Sequence, residues 1–162
     1  MIFKTDDVRI TGLQEVLPPI TLHEEFPMDE SASETVYHAR SAIHNILHGE
    51  DDRLVVIVGP CSVHDPAAAR EYAGRLKPLI DEMSDDLRII MRVYFEKPRT
   101  TVGWKGLLND PDLDESFKIN KGLRLARELL LDLAVEGVPT GTEFLDLISP
   151  QYVADLVSWG AI

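Results

Sequence analysis

The chain has one cysteine, Cys61, so no disulfide can form within it. It has no apolar run near the roughly 18 to 20 residues that cross a bilayer. Its first residues, Met-Ile-Phe-Lys-Thr-Asp-Asp, lack the apolar stretch and cleavage site of a signal peptide. These absences predict a cytoplasmic protein. Basic residues are also scarce: 16 Lys and Arg stand against 28 Asp and Glu, for a net charge of -12. No basic stripe is long enough to follow a nucleic-acid backbone, which argues against a general nucleic-acid binder. Gly-x-Gly-x-x-Gly does not follow the first strand, and Gly-x-x-x-x-Gly-Lys-Ser/Thr does not occur. The nucleotide-binding readings are therefore weak.

What is present suffices for about one domain by length, with 44% hydrophobic residues to build a core. Residues 1 to 30 read as an arm punctuated by Pro18-Pro19 and Pro27. Within it, Thr5 to Ile10 suits a short edge strand and Leu22 to Phe26 a brief helix. A helix is expected over Ser31 to Leu47, with Ser31 or Ser33 as its cap and Glu34 completing a capping box. Val36, Ala39, Ile43, Ile46 and Leu47 share one face, and Gly49 ends the helix.

Leu54 to Val58 is a continuous apolar run, the pattern of a strand buried on both faces. Asp65 and Pro66 open a helix running to about Ile80. Leu87 to Val93 is a second strand. A helix over Ile119 to Val135 follows and stops at Gly137. Thr140 to Leu145 is a third strand. Ser149-Pro150 opens a last helix, Gln151 to Ser158, and Trp159 to Ile162 enters a fourth strand. Strands alternating with helices imply a parallel α/β sheet. It is either an open doubly wound sheet or part of a (β/α)8 barrel, which when complete needs roughly 200 to 250 residues.

The candidate chemistry follows the C-terminal ends of the strands, where both architectures build their sites. Cys61 and His64 follow the first. Arg92, Lys97, Arg99 and Lys105, with Pro98, Thr100 and Thr101 among them, end and follow the second. Glu143 and Asp146 end and follow the third. A cationic, hydroxyl-bearing loop in an acidic chain points to anionic small molecules, phosphates above all. Its bland alternative is a solvated loop. Arg92 ends an apolar strand and needs an anion, from a ligand or from Glu96 or Glu143. Glu143 and Asp146 are acid-base groups or structural partners of the cations. Cys61 and His64 are metal-ligand types, but their spacing alone favours a buried inert thiol and a helix-start histidine over a metal site. His23, His38, His44 and His48 read as surface residues.

Two segments together carry a resemblance: Val-Val-Ile-Val-Gly-Pro-Cys-Ser-Val-His-Asp-Pro (55 to 66) and Arg-Val-Tyr-Phe-Glu-Lys-Pro-Arg-Thr-Thr-Val-Gly-Trp-Lys-Gly-Leu (92 to 107). They closely resemble the 3-deoxy-D-arabino-heptulosonate 7-phosphate (DAHP) synthases of the microbial type I class. The likeness extends over essentially the whole chain, including Asp-Asp-Arg-Leu (51 to 54), Gly-Leu-Arg-Leu-Ala-Arg (122 to 127) and Ser-Trp-Gly-Ala-Ile (158 to 162). It implies a (β/α)8 barrel and the first step of the shikimate pathway, the condensation of phosphoenolpyruvate with erythrose 4-phosphate and water. It also implies a divalent metal, manganese or iron, with Cys61 as one ligand and the others on later strands. Arg92 and Lys97 match phosphoenolpyruvate-binding and catalytic residues. Pro98, Arg99 and Thr100 match the clamp on the aldose phosphate, and Glu143 a carboxylate near phosphoenolpyruvate. His64 and Lys105 are secondary candidates.

The family includes feedback-inhibited forms and homo-oligomers. The Asp6-Asp7 pair and the segment 143 to 151 resemble the phenylalanine-sensitive form. Leu147, Pro150 and Gln151 would line the effector pocket, and a neighbouring arm would close it. On this reading residues 1–48 are an extension for oligomer and effector contacts, and 49–162 are the first part of the catalytic barrel. The chain is expected to be a truncated piece of the barrel, inactive by itself, with exposed sheet edges. Lys-Pro-Arg-Thr-Thr argues against the related 3-deoxy-D-manno-octulosonate 8-phosphate synthases. A non-catalytic anion-binding, effector-binding or assembly piece is the rival from another class.

Overall fold

The computed structural model describes residues 3, 5–10, 12–97 and 102–162. Its centre is a four-stranded parallel sheet in the order β1-β2-β3-β4: Leu54–Val58, Leu87–Arg92, Thr140–Glu143 and Trp159–Ala161. Each strand lies beside its predecessor. The connections are α3 (Pro66–Glu82), α4 (Ile119–Val135) and α5 (Pro150–Val153) with a 3-10 turn at Ala154–Leu156. All three pack into one core with Ile89, Met91 and Val93, so they cover the same face. A doubly wound sheet would reverse its strand order and use both faces. Unreversed winding is that of a half-barrel, and it decides between the two architectures left open above.

Register assigns the other face. Partners across a parallel sheet point the same way, so Val55, Ile57, Arg88, Ile90, Arg92, Gly141, Glu143, Trp159 and Ala161 share the inner side. At the strands' N-terminal end this side is closed by α2 (Glu30–Leu47), whose Ala39 and Ile43 pack on Ile90 and Val55. Farther up it is open: Ile57 is 45% exposed and Trp159 36%. The apolar run of β1 predicts burial on both faces, but Leu54, Ile57 and Val58 are exposed. The physical reason is position: β1 is an edge strand, with a neighbour on one side only.

Several local expectations shift. Helix α2 is capped by Asp29, whose side chain accepts from the Ala32 amide at 2.8 Å. Ser31 therefore falls inside the first turn and donates to the Val135 carbonyl, and no capping box forms on Glu34. Residues 5–10 form bends and a turn rather than a strand, with Ile10 N–H bonded back to the Asp7 carbonyl. The arm's helix α1 is Pro19–Glu25, started by its proline. The last helix is shorter than expected and tightens into the 3-10 turn. No side chain of Ser149 caps it; Asp146 accepts from the Ile148 and Ser149 amides instead. Asp65 and Pro66 begin α3, and α4 has its expected bounds.

Arg127 of α4 ties the arm to the body. It is 1% exposed, and it donates to the Phe26 carbonyl, the Tyr152 carbonyl and both oxygens of Asp155. Burial alone would raise the Asp155 pKa, but the Arg127 hydrogen bonds and charge outweigh it and hold the group below its usual value. A depressed carboxylate stabilises the fold above its unfolded pKa and loses that contribution as pH falls through the folded one. Asp155→Ala should therefore lower the unfolding free energy by about 3 kcal/mol at pH 7, because it leaves a buried guanidinium without its counter-charge. The difference from the parent should narrow below about pH 4, read by urea denaturation across pH.

Candidate functional site

Three turns meet at the C-terminal edge of the sheet, and Arg92 joins them. One terminal nitrogen, Nη1, donates to the Pro60 carbonyl at 3.1 Å and the Cys61 carbonyl at 2.7 Å. The other, Nη2, donates to Glu143 Oε1 at 3.1 Å. The turn after β1 can come this close because residue 59 is glycine: a Cβ there would lie 2.7 Å from the Arg92 carbonyl oxygen. Of its two proposed internal partners, Arg92 takes Glu143 rather than Glu96. Guanidinium carries five N–H donors. Three of them go to the two turn carbonyls and Glu143, and the guanidinium also reaches the Cys61 side chain. Burial works against the Arg92 charge, and the bonds to Cys61 and Glu143 overcome it, so its pKa is raised.

Lys97 completes the cluster. Its Nζ lies 3.2 Å from Cys61 Sγ. The thiol is exposed, not a packed apolar group, and its pKa is lowered first by the Lys97 hydrogen bond and then by Arg92. Stabilising the thiolate in this way creates both a nucleophile and a soft metal donor. Yet among the described residues no three His, Cys, Asp or Glu side chains stand together to hold one ion. Cys61 is a single donor, and the described residues do not by themselves fit a metal. His64 does not join it: its ring meets Trp104 edge-on at 6.4 Å.

Sequence reasoning passed over Tyr94. The Arg92 guanidinium lies 5.1 Å and the Lys97 ammonium 6.0 Å from the centre of its ring. The signal was available, since residues 92 and 94 share a side in extended chain. Glu96, one residue from Lys97, turns the opposite way. It is buried against Ser149 and Asp146, and its pKa is raised by burial and then by the Asp146 charge. A bridge between Glu96 and Gly106 folds the loop back, with the Lys97 amide donating to the Lys105 carbonyl. The Lys105 side chain lines a pocket of about 480 Å³ with Trp104, Leu113 and Phe117. Pro98, Arg99 and Thr100 lie outside the described residues.

The residues assigned to an effector site are only partly assembled. Gln151 Nε2 donates to the Leu147 carbonyl, and Leu147 is 84% exposed. The arm reaches this segment through the Tyr152 hydroxyl, which donates to the Leu17 carbonyl, and through His23, which bonds the Gln151 carbonyl and is half-buried rather than a plain surface residue. No hydrogen bond or ion pair among the described residues joins the exposed Asp6 or Asp7 to Leu147, Pro150 or Gln151.

The contact between Lys97 and Cys61 can be read directly, because the chain has a single thiol. Iodoacetamide should alkylate Cys61 at lower pH than an ordinary thiol, because Lys97 and then Arg92 favour the thiolate. In Lys97→Met the midpoint of the rate profile should move to higher pH. For each unit of that shift the neutral-pH rate should fall roughly threefold, because lost thiolate is partly offset by greater nucleophilicity.

Comparison with known proteins places the chain as a whole. The model of the DAHP synthetase I family matches residues 25–162. The phospho-2-dehydro-3-deoxyheptonate aldolase of Escherichia coli strain K12 named Phe-sensitive is 63% identical over 162 residues, covering all of this chain and 46% of that protein. The phospho-2-dehydro-3-deoxyheptonate aldolase of Amycolatopsis methanolica, whose name carries no effector, is 59% identical over 97% of this chain and 77% of its own. The solved structure of the Francisella tularensis aldolase superposes with a TM-score of 0.90 at 57% identity, over 94% of this chain and 45% of that one. The chain thus spans just under half the length of the Escherichia coli and Francisella proteins. With a family model matching residues 25–162 and a half-barrel of sequential parallel strands, the chain belongs to the DAHP synthetase I family.

Proposed function

We propose that this chain supplies the phosphoenolpyruvate-binding half of an enzyme that condenses phosphoenolpyruvate with erythrose 4-phosphate and water. The products are DAHP and phosphate, in the first committed step toward the aromatic amino acids. The observation that carries this is the gathering of Arg92 and Lys97 around one thiol at the strands' C-terminal edge. Two phosphorylated anions must be brought together against their repulsion, and preorganised cations lower that barrier. Arg92, at the open edge, binds phosphoenolpyruvate beside Glu143. Lys97 neutralises charge on the aldehyde oxygen as C3 of phosphoenolpyruvate attacks the aldehyde carbon. Water then adds at C2, the C2–O bond breaks and phosphate leaves. Pro98, Arg99 and Thr100 form the aldose-phosphate clamp.

A divalent metal, manganese or iron, belongs to this reading, with Cys61 as the donor this chain contributes. The remaining donors would come from polypeptide outside the 162 residues. No step is assigned to the metal on the residues described.

Regulation by an aromatic amino acid, phenylalanine first, also belongs to the reading. Leu147, Pro150 and Gln151 form one wall, and Asp6 and Asp7 act across a homo-oligomer contact. Support comes from the name of the Escherichia coli relative and from the arm's packing on the Gln151 segment.

In a protein of the relatives' full length carrying this chain, loss of the enol absorbance with both substrates and manganese should report turnover. Arg92→Met removes a charge-assisted contact of about 1.5 to 3 kcal/mol. It should weaken phosphoenolpyruvate binding by roughly 10- to 100-fold; unchanged binding would remove Arg92 from the site. Phenylalanine should inhibit the same protein. Asp6→Ala with Asp7→Ala should raise the phenylalanine concentration required, as measured by inhibition curves.

A further inference from the structure

Tyr94 is an odd residue for the place it occupies. It is 3% exposed, yet its hydroxyl is buried with no hydrogen-bond partner. An unpartnered buried hydroxyl is unfavourable, and phenylalanine would fill the same space without it. The ring, by contrast, is well used. Both cations of the edge lie against it, Arg92 at 5.1 Å and Lys97 at 6.0 Å from its centroid. Each is within the distance at which a ring's quadrupole attracts a cation. The same two side chains are the ones that hold Cys61, Arg92 through its carbonyl and Lys97 through its sulfur.

We propose that Tyr94 is a positioning residue whose ring is a shared platform for Arg92 and Lys97, fixing two like charges side by side over the Cys61 turn. Arg92 and Lys97 repel each other, and Lys97 is a long, flexible chain with several rotatable bonds. Glu143 offsets the repulsion at Arg92 only. For Lys97 the described contacts are the thiol and the ring. Without the ring, Lys97 has one soft acceptor to hold it and solvent to go to. The platform therefore sets where the ammonium stands before any ligand arrives. It acts through those cations and not through its own hydroxyl.

This inference deepens the reading of the site as an anion-binding edge, but its test uses no substrate. The probe is iodoacetamide on the sole thiol of the chain, with rates followed by mass spectrometry from pH 6 to 10. Tyr94→Phe keeps the ring and should keep the parent profile. Tyr94→Leu releases the cations, so the thiol pKa should rise toward its ordinary value. Its alkylation at pH 7 should slow by roughly threefold per unit of that rise. Above about pH 9, where both thiols are largely ionised, the order should reverse, because the leucine variant's thiolate is the more basic and so the more nucleophilic. If Tyr94→Leu does not fold, as judged by circular dichroism, phenylalanine bearing ring fluorines at position 94 replaces it. Fluorination empties the π face while keeping the shape, and it should slow alkylation relative to Tyr94→Phe.

A Tyr94→Phe protein slowed as much as Tyr94→Leu would overturn the proposal, because the hydroxyl would then be the working group. So would a leucine or fluorinated variant with the parent profile. A second arm separates this from the substrate reading. If the thiol profiles shift as expected while phosphoenolpyruvate binding to a protein of the relatives' full length carrying this chain, measured by calorimetry, is absent in parent and variants alike, the platform stands and the substrate reading falls.

Discussion

The Arg92 guanidinium is the contact on which the site depends. It ends β2, reaches back to the turn after β1 and across to Glu143 at the end of β3. Three strands are thereby pinned at the same edge by one side chain. A half-buried guanidinium carries a desolvation cost that only hydrogen bonds and opposite charge can offset. The turn carbonyls and the carboxylate provide both. Gly59 makes the approach possible, since any side chain there would meet the backbone of residue 92. The strand register follows the same logic: Arg92 and Gly141 are paired, so Glu143 stands one pleat above on the same side.

A second guanidinium does comparable work at the other side of the sheet. Arg127 is fully buried among backbone carbonyls and Asp155, and it joins the arm at Phe26 to α4 and α5. The two arginines divide the labour. Arg127 makes four hydrogen bonds to protein groups in the core and serves packing. Arg92 faces the open edge. Burial distinguishes a structural arginine from one available to a ligand.

The inner face of the sheet shows why half a barrel can be well ordered and still open. The outer face is covered by α3, α4 and α5, and the N-terminal end by α2. Toward the functional edge, Ile57 and Trp159 remain exposed, and β1 and β4 are edge strands. Arg88 lies on this face with a buried Nε that has no partner among the described residues. In a closed barrel of this winding, this face would be the interior. This fits a chain that spans just under half of its Escherichia coli relative.

Much of this was legible in the sequence. Alternation of apolar runs and amphipathic stretches determined four strands, their parallel sense and the bounds of α4, because periodicity and helix-stop residues are local properties. The position of Cys61, Arg92, Lys97 and Glu143 just past strand ends determined that they would share an edge. Other features are not local. Whether β1 is buried depends on how many neighbours it has, which no property of Leu54 to Val58 records. The cap of α2 passed from Ser31 to Asp29 because Ser31 found the Val135 carbonyl, a contact 104 residues away. The partner of Arg92 was undecided between Glu96 and Glu143 until the loop after β2, folding back at Gly106, turned Glu96 to Ser149 and Asp146. The low thiol pKa of Cys61 and the ring beneath both cations likewise exist only in three dimensions. Sequence determines which groups are available at the edge; tertiary structure decides which of them touch, because charges and rings act over a few ångströms of space and not along the chain.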